Sequence, residues 1–267
     1  MTECLYMNTL IKKYSILSAL IFFHYNLQAH FLDVITSIFN SKTINVGYVY
    51  IKGVIMDSEE LYFRLHKMGV DNAIDAILLV VDSNGTSAQH GHRLSNLVKN
   101  ITAHKPIVAC TIVEALSGGY NIVSACSWII SQPTSNIGGI GTTYKIPKKD
   151  DFIHFGSGKF KCIRYKADGV LEEDCAEYHQ QRVNQLGELF CKVVSENRKL
   201  SFEFIKDLES AYFTGPEALE IGLIHQLGYM EDAIHKIAEL VGAKNNRAYT
   251  KVNLVDLEHK VLAEYDL

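Results

Sequence analysis

Residues 107–120 read Ile-Val-Ala-Cys-Thr-Ile-Val-Glu-Ala-Leu-Ser-Gly-Gly-Tyr. The run Ile107–Val113 is mostly apolar and rich in β-branched residues, which predicts a strand buried on both faces. Ser117 follows at the point where that strand gives way to a helix. Gly118 and Gly119 remove the side chains that would keep a peptide carbonyl away from the serine hydroxyl. The first turn of the helix adds backbone N–H groups without intrahelical acceptors, a favourable setting for an oxyanion. The same residues also read as an ordinary helix N-cap followed by a flexible turn. The surrounding sequence has to separate the two.

Working outward, strands and helices alternate. Ile44–Ile51 is strand-like, and Glu59–Met68 is helical with Leu61, Leu65 and Met68 on one stripe. Ala76–Val81 is another continuous apolar strand. The loop Asp82-Ser-Asn-Gly-Thr86 leads into a helix over Ala88–Ile101, and Trp128–Ser131 is a short strand beyond the Ser117 helix. Repeated βα units of this kind predict an α/β fold with right-handed crossovers. The C-terminal third reads as helical, over 171–199, 201–207 and 230–241. Thr214-Gly-Pro-Glu217 forms a capping box there, and Gly222 is a helix stop. The polar residues 243–267 read as a tail.

The chain has 267 residues, 48% of them hydrophobic, enough for one large core. Its net charge of −4, with no dominant Lys/Arg block, argues against nucleic acid as a partner. Cysteines 4, 110, 126, 162, 175 and 191 include no C-x-x-C pair, and Cys110 and Cys126 sit in apolar runs as small buried hydrophobes. His90-Gly-His92 has i,i+2 spacing, which does not converge on one helix face, and no H-E-x-x-H accompanies it. Neither a metal nor a cofactor is expected.

Residues 1–43 form a separate unit. Lys12 and Lys13 precede the apolar stretch Tyr14–Phe23, and His24, Asn26, Gln28 and His30 then interrupt it. The pattern is that of a charged n-region and a short h-region, shorter than a spanning helix requires. It predicts a targeting or membrane-associated segment, with the main domain, residues 44–242, outside the cytoplasm. The alternatives are an amphipathic helix packed on the domain or on a membrane surface, and a cytoplasmic location.

Three loops converge on one reading: Asp82-Ser-Asn-Gly-Thr86, Leu116-Ser-Gly-Gly-Tyr120 and Ser157-Gly-Lys-Phe-Lys161. The first lies at the C-terminal end of a buried strand, where open α/β sheets bind ligands. In this order the three resemble the signal peptide peptidase A (protease IV) family of serine peptidases, which carry Asp-Ser-Pro-Gly-Gly, Ala-Ser-Gly-Gly-Tyr and Ser-Gly-x-x-Lys. Asn136-Ile-Gly-Gly-Ile-Gly141 and Tyr212–Leu223 are similar to two further stretches of that family. The resemblance covers residues 45–240.

It implies a Clp/crotonase-type fold and a Ser/Lys dyad in which Ser117 is the nucleophile and Lys161 the general base. Lys161 is the third residue after Ser157-Gly158, where the family keeps its lysine, and Lys159 is the competitor. A lysine base must be desolvated enough to be neutral, and Phe160 and Cys162 flank Lys161. The oxyanion hole would be the N–H of Gly118 with that of Gly85 or Thr86. The implied substrates are hydrophobic peptides such as signal-peptide remnants, near a membrane, and the implied assembly is a homo-oligomer.

Asn84 and Thr86 depart from the family's proline and second glycine. Thr86 is costly if its position needs a positive φ, so an inactive membrane-associated scaffold stays open. So does a crotonase-type acyl-CoA enzyme, which uses paired backbone N–H groups without Ser117 or Lys161. A Ser-His-Asp arrangement is disfavoured because no histidine occurs between His104 and His154.

Overall fold

The computed structural model describes residues 43–56, 58–145, 163–166, 168–245 and 251–267. Residues 1–42 of the N-terminal unit, and Ser157–Lys161 with both candidate lysines, lie outside the described residues.

The apolar run from Ala76 builds the centre of the sheet. Strand β2 (Ala76–Gly85) pairs in parallel with β1 (Thr43–Val54) on one side and β3 (Ile107–Leu116) on the other. Its side chains alternate between two cores. Ile77, Leu79 and Val81 pack with Leu65, Leu94, Val98 and Ile122. Ala76, Leu78 and Val80 pack with Ile234, Ile237 and Val241. A strand covered on both faces needs no polar alternation, which is why the run is continuous. The first core is closed by α1 (Ser58–Val70), α2 (Ala88–Thr102) and α3 (Gly118–Ser124), and the second by α7 (Met230–Asn245).

Strand β3 divides its far edge between two neighbours. Its first half pairs with β4 (Trp128–Ser131), from Val108↔Trp128 to Thr111↔Ser131. Its second half pairs with β5 (Asn136–Gly138), from Glu114↔Asn136 to Leu116↔Gly138. The split brings β5 alongside the end of β3 from which the Ser117 helix departs. The long helix α4 (Glu173–Arg198) and short α5 (Phe202–Asp207) follow, then β6 (Tyr212–Thr214), α6 (Gly215–Glu220) and β7 (Gln226–Leu227). The capping box at Thr214 and Glu217 forms as expected, and Gly222 takes φ +79°.

The end of the chain differs from the expected tail. Lys251–Val255 and Val261–Asp266 form β8 and β9, an antiparallel hairpin whose first strand adds to the free edge of β1. Val252, Leu254 and Val255 are buried, which supplies the apolar contact that holds it. Among the described residues, no helix is long and apolar enough to cross a membrane.

Candidate active site at the Ser117 turn

Ser117 is the N-cap of α3, at φ 51° and ψ −126°, and its side chain makes no capping hydrogen bond. A non-glycine residue at such a φ costs about 1–3 kcal/mol and persists only where its surroundings impose it. Here they do. The Ser117 N–H donates to Gly138 O at 2.8 Å, and Asn121 N–H donates to Ser117 O at 2.9 Å. Gly138 and Gly139 take φ +115° and +61°, conformations that carry β5 past the turn. Asn136–Gly141 therefore helps to shape the Ser117 backbone, a role invisible in its sequence.

The Gly85–Thr86 loop presses on the same turn from the β2 side. A Cβ built on Gly118 would lie 2.6 Å from Thr86 Cγ2 and 2.7 Å from Thr86 N, so position 118 has room only for glycine. A Cβ on Gly85 would meet Ser117 Cβ at 3.1 Å and Gly118 N at 3.3 Å. The structure thus brings Gly85, Thr86, Ser117 and Gly118 close together. The Gly118 N–H opens a helix, where no preceding carbonyl can accept it.

The concern over Thr86 is resolved by its neighbour. Gly85 takes the positive φ, +130°, and Thr86 is not among the positive-φ residues. Thr86 Oγ1 instead donates to Ile55 O at 2.8 Å, and Ile55 N–H donates to Gly85 O at 2.9 Å, which stitches the loop to the end of β1. Buried Ser83 adds a bond from Oγ to Gly53 O at 2.6 Å. Asn84, where the family keeps proline, is exposed.

Behind the turn, α3 is buried along its whole length. Tyr120 is wholly buried and donates its hydroxyl to Leu223 O at 2.7 Å, and burial pushes its phenol pKa well above the ordinary value. Cys110 and Cys126 are buried too, and burial pushes the Cys110 thiol up to about 12, so it is no thiolate nucleophile. Lys105 is the buried lysine among the described residues. It sits just before β3, at the opposite end of that strand from Ser117. Its Nζ donates to Met68 O at 2.6 Å and Asp71 O at 2.7 Å, carbonyls at the end of α1, which is a structural task.

Over residues 99–244 the chain matches the profile described as Peptidase family S49. This chain belongs to peptidase family S49. Its sheet and covering helices are the Clp/crotonase-like α/β arrangement of S49 peptidases, and the matched segment contains the Ser117 turn. The chain is similar to a putative protease of Methanocaldococcus jannaschii, 29% identical over 186 residues, covering 66% of this chain and 59% of the relative. It is also similar to protease 4 of Haemophilus influenzae, 26% identical, covering 76% of this chain and 36% of the relative. A putative signal peptide peptidase of Enterococcus faecium is 25% identical, covering 74% of this chain and 63% of the relative. The chain therefore spans only about a third to two thirds of the length of these relatives.

Proposed function

We propose that this chain is a serine peptidase in which Ser117 is the nucleophile and Lys161 the general base. One observation carries the proposal. Within the region matched to the S49 family, Ser117 is held in a strained conformation at a strand-to-helix turn, and its hydroxyl is withheld from capping the helix. In the proposed reaction the neutral Lys161 amine accepts the Ser117 Oγ proton as the oxygen attacks the substrate carbonyl carbon. The carbonyl oxygen becomes an oxyanion against the Gly118 N–H, joined by that of Gly85 or Thr86. Collapse breaks the C–N bond, and the lysine ammonium returns the proton to the leaving amine. Water, deprotonated by the same lysine, then cleaves the acyl-enzyme and frees both the acid and Ser117.

Hydrophobic peptides, such as remnants of signal peptides, are the proposed substrates, handled by a homo-oligomer near a membrane. The apolar stretch Tyr14–Phe23 and the signal-peptide-peptidase name of one relative support that reading. The test is a pair of substitutions. Lys161→Met should nearly eliminate hydrolysis of a hydrophobic peptide, and Lys159→Met should leave it close to wild type. The wild-type rate should rise with pH through a pKa below the ordinary lysine value of about 10.4. A dead Lys159→Met beside an active Lys161→Met would transfer the role to Lys159. Full activity in both would refute the dyad.

A further inference from the structure

We propose that Asn197, one residue before the end of α4, is a positioning residue that holds the Ser117 helix from behind; this rests on reading Ser117 as the nucleophile. Helix α3 has only seven residues, too few to be stable by itself. Its strained N-cap must therefore be fixed through tertiary contacts. Asn197 Nδ2 donates to Ser124 Oγ at 3.0 Å and lies 3.3 Å from Ser95 Oγ on α2. Ser124 Oγ donates onward to Asn121 O at 2.7 Å, and the Asn121 N–H donates to Ser117 O. One amide is thus linked by two hydrogen bonds to the Asn121 carbonyl, and the backbone of that same residue donates its N–H to the carbonyl of Ser117.

The platform for this path is itself fixed. Arg198, the next residue, donates from Nε and Nη2 to Gly222 O at 3.2 and 3.0 Å. The adjoining Leu223 carbonyl accepts the Tyr120 hydroxyl. The end of α4 and the 222–223 turn therefore grip α3 from two sides. Ser95 and Ser124 are each 1% exposed, so the Asn197 amide supplies a hydrogen bond to hydroxyls that the folded chain keeps from solvent. Loss of the amide should let α3 shift and leave Ser117 intact but misaimed.

The experiment measures the second-order rate at which a fluorophosphonate labels Ser117 in the full-length chain at 25 °C, together with kcat and KM for a peptide and the melting temperature. Asn197→Ala should slow labelling by about tenfold to a hundredfold and lower kcat by a similar factor, with KM nearly unchanged. Ser124→Ala cuts the same bond by deleting one oxygen, and keeps the test decisive if Asn197→Ala folds poorly. It should slow labelling too, and the double variant should be little slower than the slower single one. Labelling within about twofold of wild type in the folded variants would overturn the inference, whatever happens to melting, because a purely structural residue moves stability and not this rate. A wild-type chain that leaves Ser117 unlabelled would instead overturn the peptidase reading, and the inference with it.

Discussion

Two serines stand at equivalent places in this fold. Ser87 begins α2 after β2, and Ser117 begins α3 after β3. Ser87 has φ −60° and ψ 152°, and its Oγ accepts the His90 N–H at 3.3 Å, as an N-cap serine ordinarily does. Ser117 is twisted to φ 51° and gives its hydroxyl to no capping bond. Same residue type, same junction, opposite use. A serine that stabilises a helix repays its own desolvation locally, whereas Ser117 is held by Gly138, Gly118 and Asn121 at a cost to the fold. Strain maintained by so many partners fits the nucleophile role proposed for Ser117.

The contrast is most easily broken by deleting each oxygen. Ser117→Ala should lower peptide kcat by roughly a thousandfold or more, as for other serine nucleophiles, while the circular dichroism spectrum stays native. Retention of a tenth of the activity would remove Ser117 from the mechanism. Gly118→Ala should come next. Its methyl would strike the Thr86 backbone, so activity should fall by about a hundredfold and stability by about 1–3 kcal/mol, read by peptide turnover and urea melts.

A pH titration sharpens the comparison by separating stability from chemistry. His225 Nδ1 accepts the Ile129 N–H at 2.9 Å, and its ring stacks on Trp128 at 4.5 Å. Burial, then Arg198 and Lys236, lowers its pKa from 6.5 to about 4. The unfolded chain therefore binds the extra proton first. Stability should be full well above pH 6.5, fall as pH drops through 6.5 toward 4, and level off only below pH 4. Urea melts of His225→Gln should lack that acid-side slope. The smallest effect belongs to the ordinary cap: Ser87→Ala should cost about 1 kcal/mol and leave peptide turnover within about twofold of wild type.

Much of the scaffold was legible because its central strands are covered on both faces. Ala76–Val81 and Ile107–Val113 could hardly be read otherwise, and Trp128–Ser131 forms the strand expected of it. The β8–β9 hairpin was not legible. It is an edge feature in which Val252, Leu254 and Val255 are buried while much of β9 is exposed, so its composition resembles a polar tail. At the site, Gly118 and Gly119 marked the turn, yet nothing in the sequence near Ser117 records its backbone angle. That angle is imposed by Gly138, which arrives through a separate strand. The positive φ feared for Thr86 falls instead on Gly85, the glycine one residue earlier. Asn197 carried no motif at all, since its partners lie 73 and 102 residues away in sequence.

In the proposed mechanism Ser117, and not Ser87 or any other hydroxyl, is the activated one. The direct measurement treats wild type, Ser117→Ala and Ser87→Ala chains with a fluorophosphonate and maps the adduct by peptide mass spectrometry. Wild type and Ser87→Ala should each carry a single adduct on Ser117, and Ser117→Ala should carry none. An adduct on another residue of the wild type, or undiminished labelling of Ser117→Ala, would contradict the account.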